Sequence, residues 1–591
     1  MKAFFKQALA TMVGIFLIAA LFSVMGIVSL VSIIASGSSE PPIKENSILH
    51  LNLSGTLTDR TQENPLDKIM NMGEESNAVS LEQAVTALKK AAVNDNIKGV
   101  YLEAGTLSAQ PATVQELRQA LVDFKKSGKW IVSYADSYGK MGYYLSSVAD
   151  TLLLNPEGSV DFSGLESQPM FFKEVLDKLG IEMQVFKVGT YKSAVEPFIC
   201  TEMSDANREQ ITSYLTNVWN NVLIDVAASR NIDVDKLNKL ADTQTMFARA
   251  QSSVDNGLID ALCYIDQVKD ILRSNCNLVN KDDKLSFASI SDVANSAKSE
   301  EGKGEQIAVY YACGEIVQSA STGLDQEVQI VGEKVVKDLQ ALRTDPKVKA
   351  VVIRVNSPGG SAYASEQIWR EVTLLKKEKP VIISMGDAAA SGGYYISCAS
   401  DRIFADPTTI TGSIGIFGMV PNVSNLLTKK IGLKFDIVKT NEMADMGTMS
   451  RPFNAAERAQ LQKMIEQGYD TFTKRVADGR GMSQDSVKLI AEGRVWTGEQ
   501  GLKIGLVDEL GNLDDAIAYA AKMIESKEYH TVSYPAEEDP FAMILNETKS
   551  DYMNNEIKEL LGEWYSVYSF IRNVKSADNI QARIPYDIVI R

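Results

Sequence analysis

Histidine is nearly missing from this chain: its 591 residues contain His50 and His530 and no other. A Ser-His-Asp triad needs an imidazole within hydrogen-bond reach of its serine. Neither position recommends itself, since His50 follows an apolar N-terminal segment and His530 lies near the other end, both away from the motifs below. The five cysteines (Cys200, Cys263, Cys276, Cys313, Cys398) show no CxxC or CxxxxC spacing, which argues against zinc and against a disulfide framework. Positive charge is in deficit, with 60 Lys+Arg against 76 Asp+Glu and a net charge of −16. No basic stripe is left for phosphates, so a nucleic-acid partner is excluded. There is no GxxxxGK phosphate loop either, and no metal or nucleotide cofactor is called for.

What is present is a globular composition, 45% hydrophobic and 23% charged, in a chain long enough for two sizeable cores. From Gln7 to Ser39 no residue is charged, and Ala8 to Ala35 is almost wholly apolar. A run of that length spans a bilayer as a helix. Lys2 and Lys6 precede it and no basic cluster follows, which predicts a cytoplasmic N-terminus and the bulk of the chain outside. A cleaved signal peptide is the competing reading, with Ala35-Ser36-Gly37 as the cleavage site.

The rest of the chain is a duplication. Ser133 to Asp150 (SYADSYGKMGYYLSSVAD) aligns without a gap on Ser384 to Asp401 (SMGDAAASGGYYISCASD), at an offset of 251 with seven of eighteen positions identical. Ile97-Lys98-Gly99-Val100 faces Val348-Lys349-Ala350-Val351, Asn155-Pro156 faces Asp406-Pro407, and Gly164 faces Gly415. Residues 1–45 are then a cytoplasmic tip and anchor, 46–279 the first copy, 280–306 a polar linker, 307–540 the second copy and 541–591 a tail without a usable motif. In the second copy, apolar runs at Ile307–Tyr311, Ala350–Val355, Val381–Ser384 and Ile403–Phe404 alternate with helical periods such as Ser365–Lys377. That alternation predicts α/β units around a largely parallel sheet.

Three motifs carry chemistry. Val381-Ile382-Ile383-Ser384-Met385 runs into Gly386-Asp387-Ala388-Ala389-Ala390-Ser391-Gly392-Gly393-Tyr394-Tyr395, a serine among small residues at a strand-to-helix junction. Small neighbours let a substrate backbone approach, and free N–H groups at a helix start stabilise developing negative charge. Val355-Asn356-Ser357-Pro358-Gly359-Gly360-Ser361 is a turn whose N–H groups suit half of an oxyanion hole. Thr411-Gly412-Ser413-Ile414-Gly415 follows. Read blandly, each is only a tight turn. With histidine so scarce, a nucleophilic Ser391 calls for a lysine base, kept neutral by burial or by positive neighbours.

In that order the motifs resemble the Clp protease/crotonase fold, and more narrowly the signal peptide peptidase A (protease IV) family of membrane-anchored serine proteases in its long, duplicated form. Val188-Gly189-Thr190-Tyr191-Lys192-Ser193-Ala194-Val195-Glu196-Pro197-Phe198 is similar to the segment that carries that family's general-base lysine. The resemblance implies an α/β protein of two tandem Clp protease/crotonase-like copies preceded by one transmembrane helix. It implies Ser391 as nucleophile, Lys192 as base, Gly360 and Gly392 as backbone oxyanion donors and Ser413 as the serine that orients the lysine. It further implies a homotetramer at the inner membrane, facing the periplasm, that degrades signal-peptide fragments and other short apolar peptides. The first copy has Lys140 where the second has Ser391, and the second has Asn441 to Gly447, without lysine, where the first has Lys192. Each copy thus holds half of a dyad, with Lys140 as a weaker alternative base. Asp387, Tyr394 and Tyr395 recur in both copies and read as fold residues. Two rival readings are a silent membrane scaffold and a crotonase-type acyl-CoA enzyme.

Overall fold

The computed structural model describes residues 43–61, 78–243, 247–278, 283–296, 303–319, 328–536 and 580–583, together with Gly14. Apart from Gly14, the predicted membrane anchor at Ala8 to Ala35 lies outside the described residues. Among those described, no helix is long and apolar enough to cross a membrane.

The first copy is built on a parallel sheet in the order Ser286–Ala288, Ser47–Asn52, Ile97–Glu103, Trp130–Ala135, Thr151–Leu154 and Ala261–Leu262. The second repeats it as Tyr529–Tyr534, Glu305–Cys313, Val348–Ser357, Val381–Ala390, Arg402–Ala405 and Glu509–Leu510. Val348, Ala350 to Val352, Val355 and Val381 to Ile383 are buried, as strands covered by helices on both faces must be. The long helices also correspond. Asp205–Arg230 starts on a Ser204 cap and Ala455–Arg480 on an Asn454 cap, and each ends on a left-handed residue, Asn231 or Gly481.

Three features differ from the sequence reading. The polar stretch 280–306 contains the strand Ser286–Ala288 and the helix Ile290–Ala294, started by a Ser289–Asp292 capping box. Short polar residues cap and pair as readily as they link. The helix expected at Ser365–Lys377 spans Ala362–Glu378, because the Ser361 hydroxyl accepts from Ala364 N. The small residues before Ser391 are strand, with Ala388 to Ala390 pairing with Ile410–Gly412, so the sharp turn falls on Ser391 alone.

A further sheet joins the copies. Its order is Gln329–Val331, Glu315–Val317, Gly359–Ser361, Ile580–Arg583, Phe417–Asn422 and Glu182–Lys187. The last two strands are antiparallel and come from different copies. First-copy backbone is thereby carried into the second copy just before residues 188–195.

Candidate active site

Ser391 sits at the end of the central strand Val381–Ala390 with φ +55° and ψ −111°, outside the regions where an L-residue rests comfortably. Such a backbone costs about 1–3 kcal/mol and persists only where its surroundings impose it. Here Ser391 N donates to Gly412 O (2.8 Å), and Tyr395 N donates to Ser391 O (2.8 Å) as the short helix Gly392–Ser397 begins. Ser413 is also held at positive φ, +49°, with its N–H donating to Arg494 O at 2.7 Å.

Lys192 reaches this point from the other copy. Its Nζ lies 2.8 Å from Ser391 Oγ, 3.1 Å from Ser413 Oγ and 3.2 Å from Ser413 O. All three residues are fully buried, at 0% exposure. Burial, which penalises the charged form, holds the Lys192 amine well below the ordinary lysine value. The segment around it is pinned by buried polar groups. Gln210 Nε2 donates to Tyr191 O (3.2 Å) and Ser193 Oγ (2.9 Å), while Gln210 Oε1 accepts from Val495 N (3.2 Å). The Glu196 carboxylate accepts from Ser204 Oγ (2.6 Å) and Asn207 Nδ2 (3.0 Å). Gly493, at φ +77°, allows this close approach: a Cβ there would stand 2.7 Å from Lys192 N, Cα and Cβ.

Gly392 follows Ser391 directly, and Gly360 comes beside it through its neighbour Gly359. Gly359 and Gly360 have φ +105° and +151°, and a Cβ at Gly359 would stand 2.9 Å from Gly392 N. The five residues singled out in the sequence therefore lie together. Lys140 does not join them. It begins the helix Lys140–Ser146 in its own copy and faces Asp161 at 3.9 Å. His50 bonds Glu103 (2.6 Å) and His530 Nδ1 lies 3.3 Å from Lys303 O; neither contacts the site serine.

Sequence reasoning missed what clamps the copies behind this site. Arg354, fully buried in the strand Val348–Ser357, pairs with Asp59 and Glu116 of the first copy at 2.7 Å each and donates to Ser384 Oγ at 3.0 Å. Asp387, four residues before Ser391, accepts from Thr113 N at 2.8 Å and from Asn356 Nδ2 at 3.3 Å. Burial, reinforced by the charge of Asp59, raises the Asp387 carboxyl above its usual range. The signal available was a charge inside an apolar strand, because arginine in a strand covered on both faces must have buried partners.

The family comparisons agree with the duplication. The model described as Peptidase family S49 matches residues 123–278 and again 373–527, and the Clp protease model matches 304–410. Protease 4 of Salmonella typhi is 35% identical over 538 residues, covering 90% of this chain and 82% of that protein. Protease 4 of Haemophilus influenzae is 35% identical over 525 residues, covering 85% and 83%. The chloroplastic serine protease SPPA of Arabidopsis thaliana is 33% identical over 486 residues, covering 81% and 69%. With the repeat matched twice and relatives aligned over most of both lengths, the chain belongs to peptidase family S49, as a tandem-repeat serine protease.

Proposed function

We propose that the chain is a Ser/Lys endopeptidase in which Ser391 attacks the scissile carbonyl and neutral Lys192 takes its proton. The observation that carries this is the 2.8 Å approach of Lys192 Nζ to Ser391 Oγ, with both side chains fully buried. Attack gives a tetrahedral oxyanion, which the Gly360 and Gly392 N–H groups receive. Collapse expels the amine, to which Lys192 returns the proton, and leaves an acyl ester on Ser391. Water, deprotonated by the same lysine, then hydrolyses that ester. Ser413 keeps the amine aimed at Ser391 through its hydroxyl and carbonyl oxygens.

The substrates are cleaved signal peptides and other short apolar peptides. The apolar run at Ala8 to Ala35 anchors the protein in the inner membrane with its bulk at the periplasmic face. The chain works as a homotetramer, and the repeat supplies a reason for association. Leu433 to Lys439 is the second-copy counterpart of Ile181 to Lys187, each following a left-handed glycine, Gly432 or Gly180. Yet it forms no strand and exposes Leu433, Phe435, Ile437 and Val438. Residues 166–171, the first-copy counterpart of Phe417–Asn422, form no strand either. Laying the former on the latter between neighbouring chains repeats the pairing seen within one.

The test is labelling by a fluorophosphonate probe across pH. Labelling of Ser391 is expected to rise with pH as Lys192 loses its proton, and to vanish in Ser391→Ala. A flat profile between pH 6 and 9 with intact labelling argues against lysine as the base.

A further inference from the structure

In the proposed dyad each copy supplies one partner, and the corresponding position of the other copy lacks it. A second pair beside the site is split in the same way. Arg494 of the second copy corresponds to Met246 of the first, by the alignment that sets Gly505-Leu506-Val507-Asp508 on Gly257-Leu258-Ile259-Asp260. Glu209 of the first copy corresponds to Ala459 of the second, because the two long helices run in step from Ser204 and Asn454 to Asn231 and Gly481. In the structure these two unmatched residues meet. Arg494 Nη2 lies 3.0 Å from Glu209 Oε1.

Tyr191, next to Lys192 in the chain, is held by that pair. Arg494 Nη1 donates to the Tyr191 hydroxyl at 3.2 Å, and the hydroxyl donates to Glu209 Oε2 at 3.0 Å. The guanidinium carbon stands 4.8 Å from the centre of the Tyr191 ring and 4.5 Å from that of Trp496, so the tyrosine is stacked as well as bonded. Main chain of the same strap completes the hold. Tyr191 N donates to Glu492 O at 3.0 Å, and Arg494 O takes the Ser413 N–H at 2.7 Å. Arg494 therefore grips the base-bearing segment with its side chain, and with its carbonyl the serine that lies against the lysine amine. Other charged groups along the segment are Lys187, with Nζ 3.5 Å from Lys192 O, Glu196, and Glu492, whose carboxylate accepts from Thr190 N at 3.4 Å. The Arg494 side chain is 22% exposed and that of Glu209 55%, whereas Lys192 is fully buried. The clasp thus reaches the surface beside a base that does not.

We propose that Arg494 is a positioning residue for the base, closing the first-copy segment onto the second copy so that the Lys192 amine stays aimed at Ser391 and out of water. The inference rests on the Ser391/Lys192 reading. The side-chain bonds of Arg494 go to Tyr191 and Glu209, so it acts through the segment and not on the reacting atoms. Releasing the clasp lets the segment lift and water reach the amine. Hydration favours the ammonium, so less of the lysine is a base at a given pH. A displaced base also costs rate when neutral. Lysine at position 494 would keep the charge but lack the planar fork that stacks on two rings and bonds two oxygens.

The rate of Ser391 labelling by a fluorophosphonate probe across pH, on folded full-length protein in detergent, tests this together with hydrolysis of a quenched apolar peptide. Arg494→Ala is expected to lower kcat about 10-fold or more with KM within about twofold, and to move the acid limb of labelling to higher pH. Arg494→Lys and Glu209→Ala are expected to move the limb the same way by less, and they decide the matter if Arg494→Ala does not fold. Arg480→Ala, which breaks the scaffold pair with Asp508, is expected to cost stability and leave the limb in place. An unmoved limb and a wild-type kcat in the Arg494 and Glu209 variants overturn the inference and leave the dyad standing. A limb moved equally by Arg480→Ala also overturns it, because any loosening of the second copy would then suffice. Wild-type labelling that is flat with pH removes the Ser391/Lys192 reading, and this inference with it.

Discussion

Tyr143 and Tyr394 stand 251 positions apart and do the same work: the hydroxyl of one donates to Leu258 O at 3.0 Å, that of the other to Leu506 O at 2.9 Å. Asp150 accepts from Ile131 N at 2.9 Å as Asp401 does from Val381 N at 2.8 Å. Arg230 grips Asp260 as Arg480 grips Asp508. Against this shared scaffold, four corresponding positions differ. Ser391, strained at φ +55°, corresponds to Lys140, which lies inside its helix after a Gly139 cap at φ −72°. Ser413 corresponds to Phe162, Arg354 to Glu103, and Lys192 to a stretch of the second copy without lysine. Under the proposed Ser391/Lys192 reading, duplication left two folds with one set of reactive groups between them. At the meeting place the strained backbone of Ser391 and the buried charge of Arg354 are held in position by neighbouring contacts.

The comparison is broken most severely by removing the serine. Ser391→Ala should lower peptide hydrolysis by about 10⁴-fold or more while the fold persists, as loss of a nucleophile does; kcat/KM and a circular dichroism spectrum check both halves. Next in size is the clamp. Arg354→Ala strands Asp59 and Glu116 in the interior, and breaking a buried pair this way costs about 3–5 kcal/mol. The corresponding Glu103→Ala, at a half-buried pair with His50, should cost about 1 kcal/mol or less. Urea denaturation of both variants measures the difference.

A smaller effect is expected from the paired glycines. A Cβ at Gly415 would come within 3.0 Å of Gly493 Cα and 3.2 Å of Lys192 Cδ, whereas one at Gly164 meets nothing within 4 Å. Gly415→Ala should push the lysine off its aim and reduce kcat about 10-fold or more. Gly164→Ala, despite its φ of +87°, should leave kcat within about twofold and cost only stability.

The smallest effect is on stability against pH. The folded value of Lys192 is depressed, so between that value and the unfolded one, about 10.4, the unfolded chain holds the extra proton. Folding stability should rise with pH across that window. Lys192→Met should flatten this rise and be more stable than wild type at neutral pH, since no proton need be lost on folding. Equal slopes for the two proteins in pH-dependent denaturation would contradict this.

The duplication and the α/β architecture were legible because buried strands and capped helices write themselves into apolar runs and repeated short motifs. Ser391 stood out as a serine among small residues at a strand-to-helix junction, whereas the roles of Lys192, Gly360, Gly392 and Ser413 came through the family resemblance of the motifs that carry them. The Arg354–Asp59–Glu116 clamp was not legible, because its partners lie 295 and 238 positions away and nothing local marks them. The tail strand was hidden more completely. It is held largely by backbone pairing, which any sequence free of proline at those positions can supply.

The central claim is that the working pair is assembled from both copies. Hydrolysis of a quenched apolar peptide by wild type, Lys192→Ala and Lys140→Ala, measured side by side on folded protein, tests it most directly. Loss of activity in Lys192→Ala, with Lys140→Ala within about twofold of wild type, is the result expected of a base that reaches across the repeat. Activity surviving in Lys192→Ala and lost in Lys140→Ala would contradict the account, because the base would then be the residue that took the serine's place in the first copy.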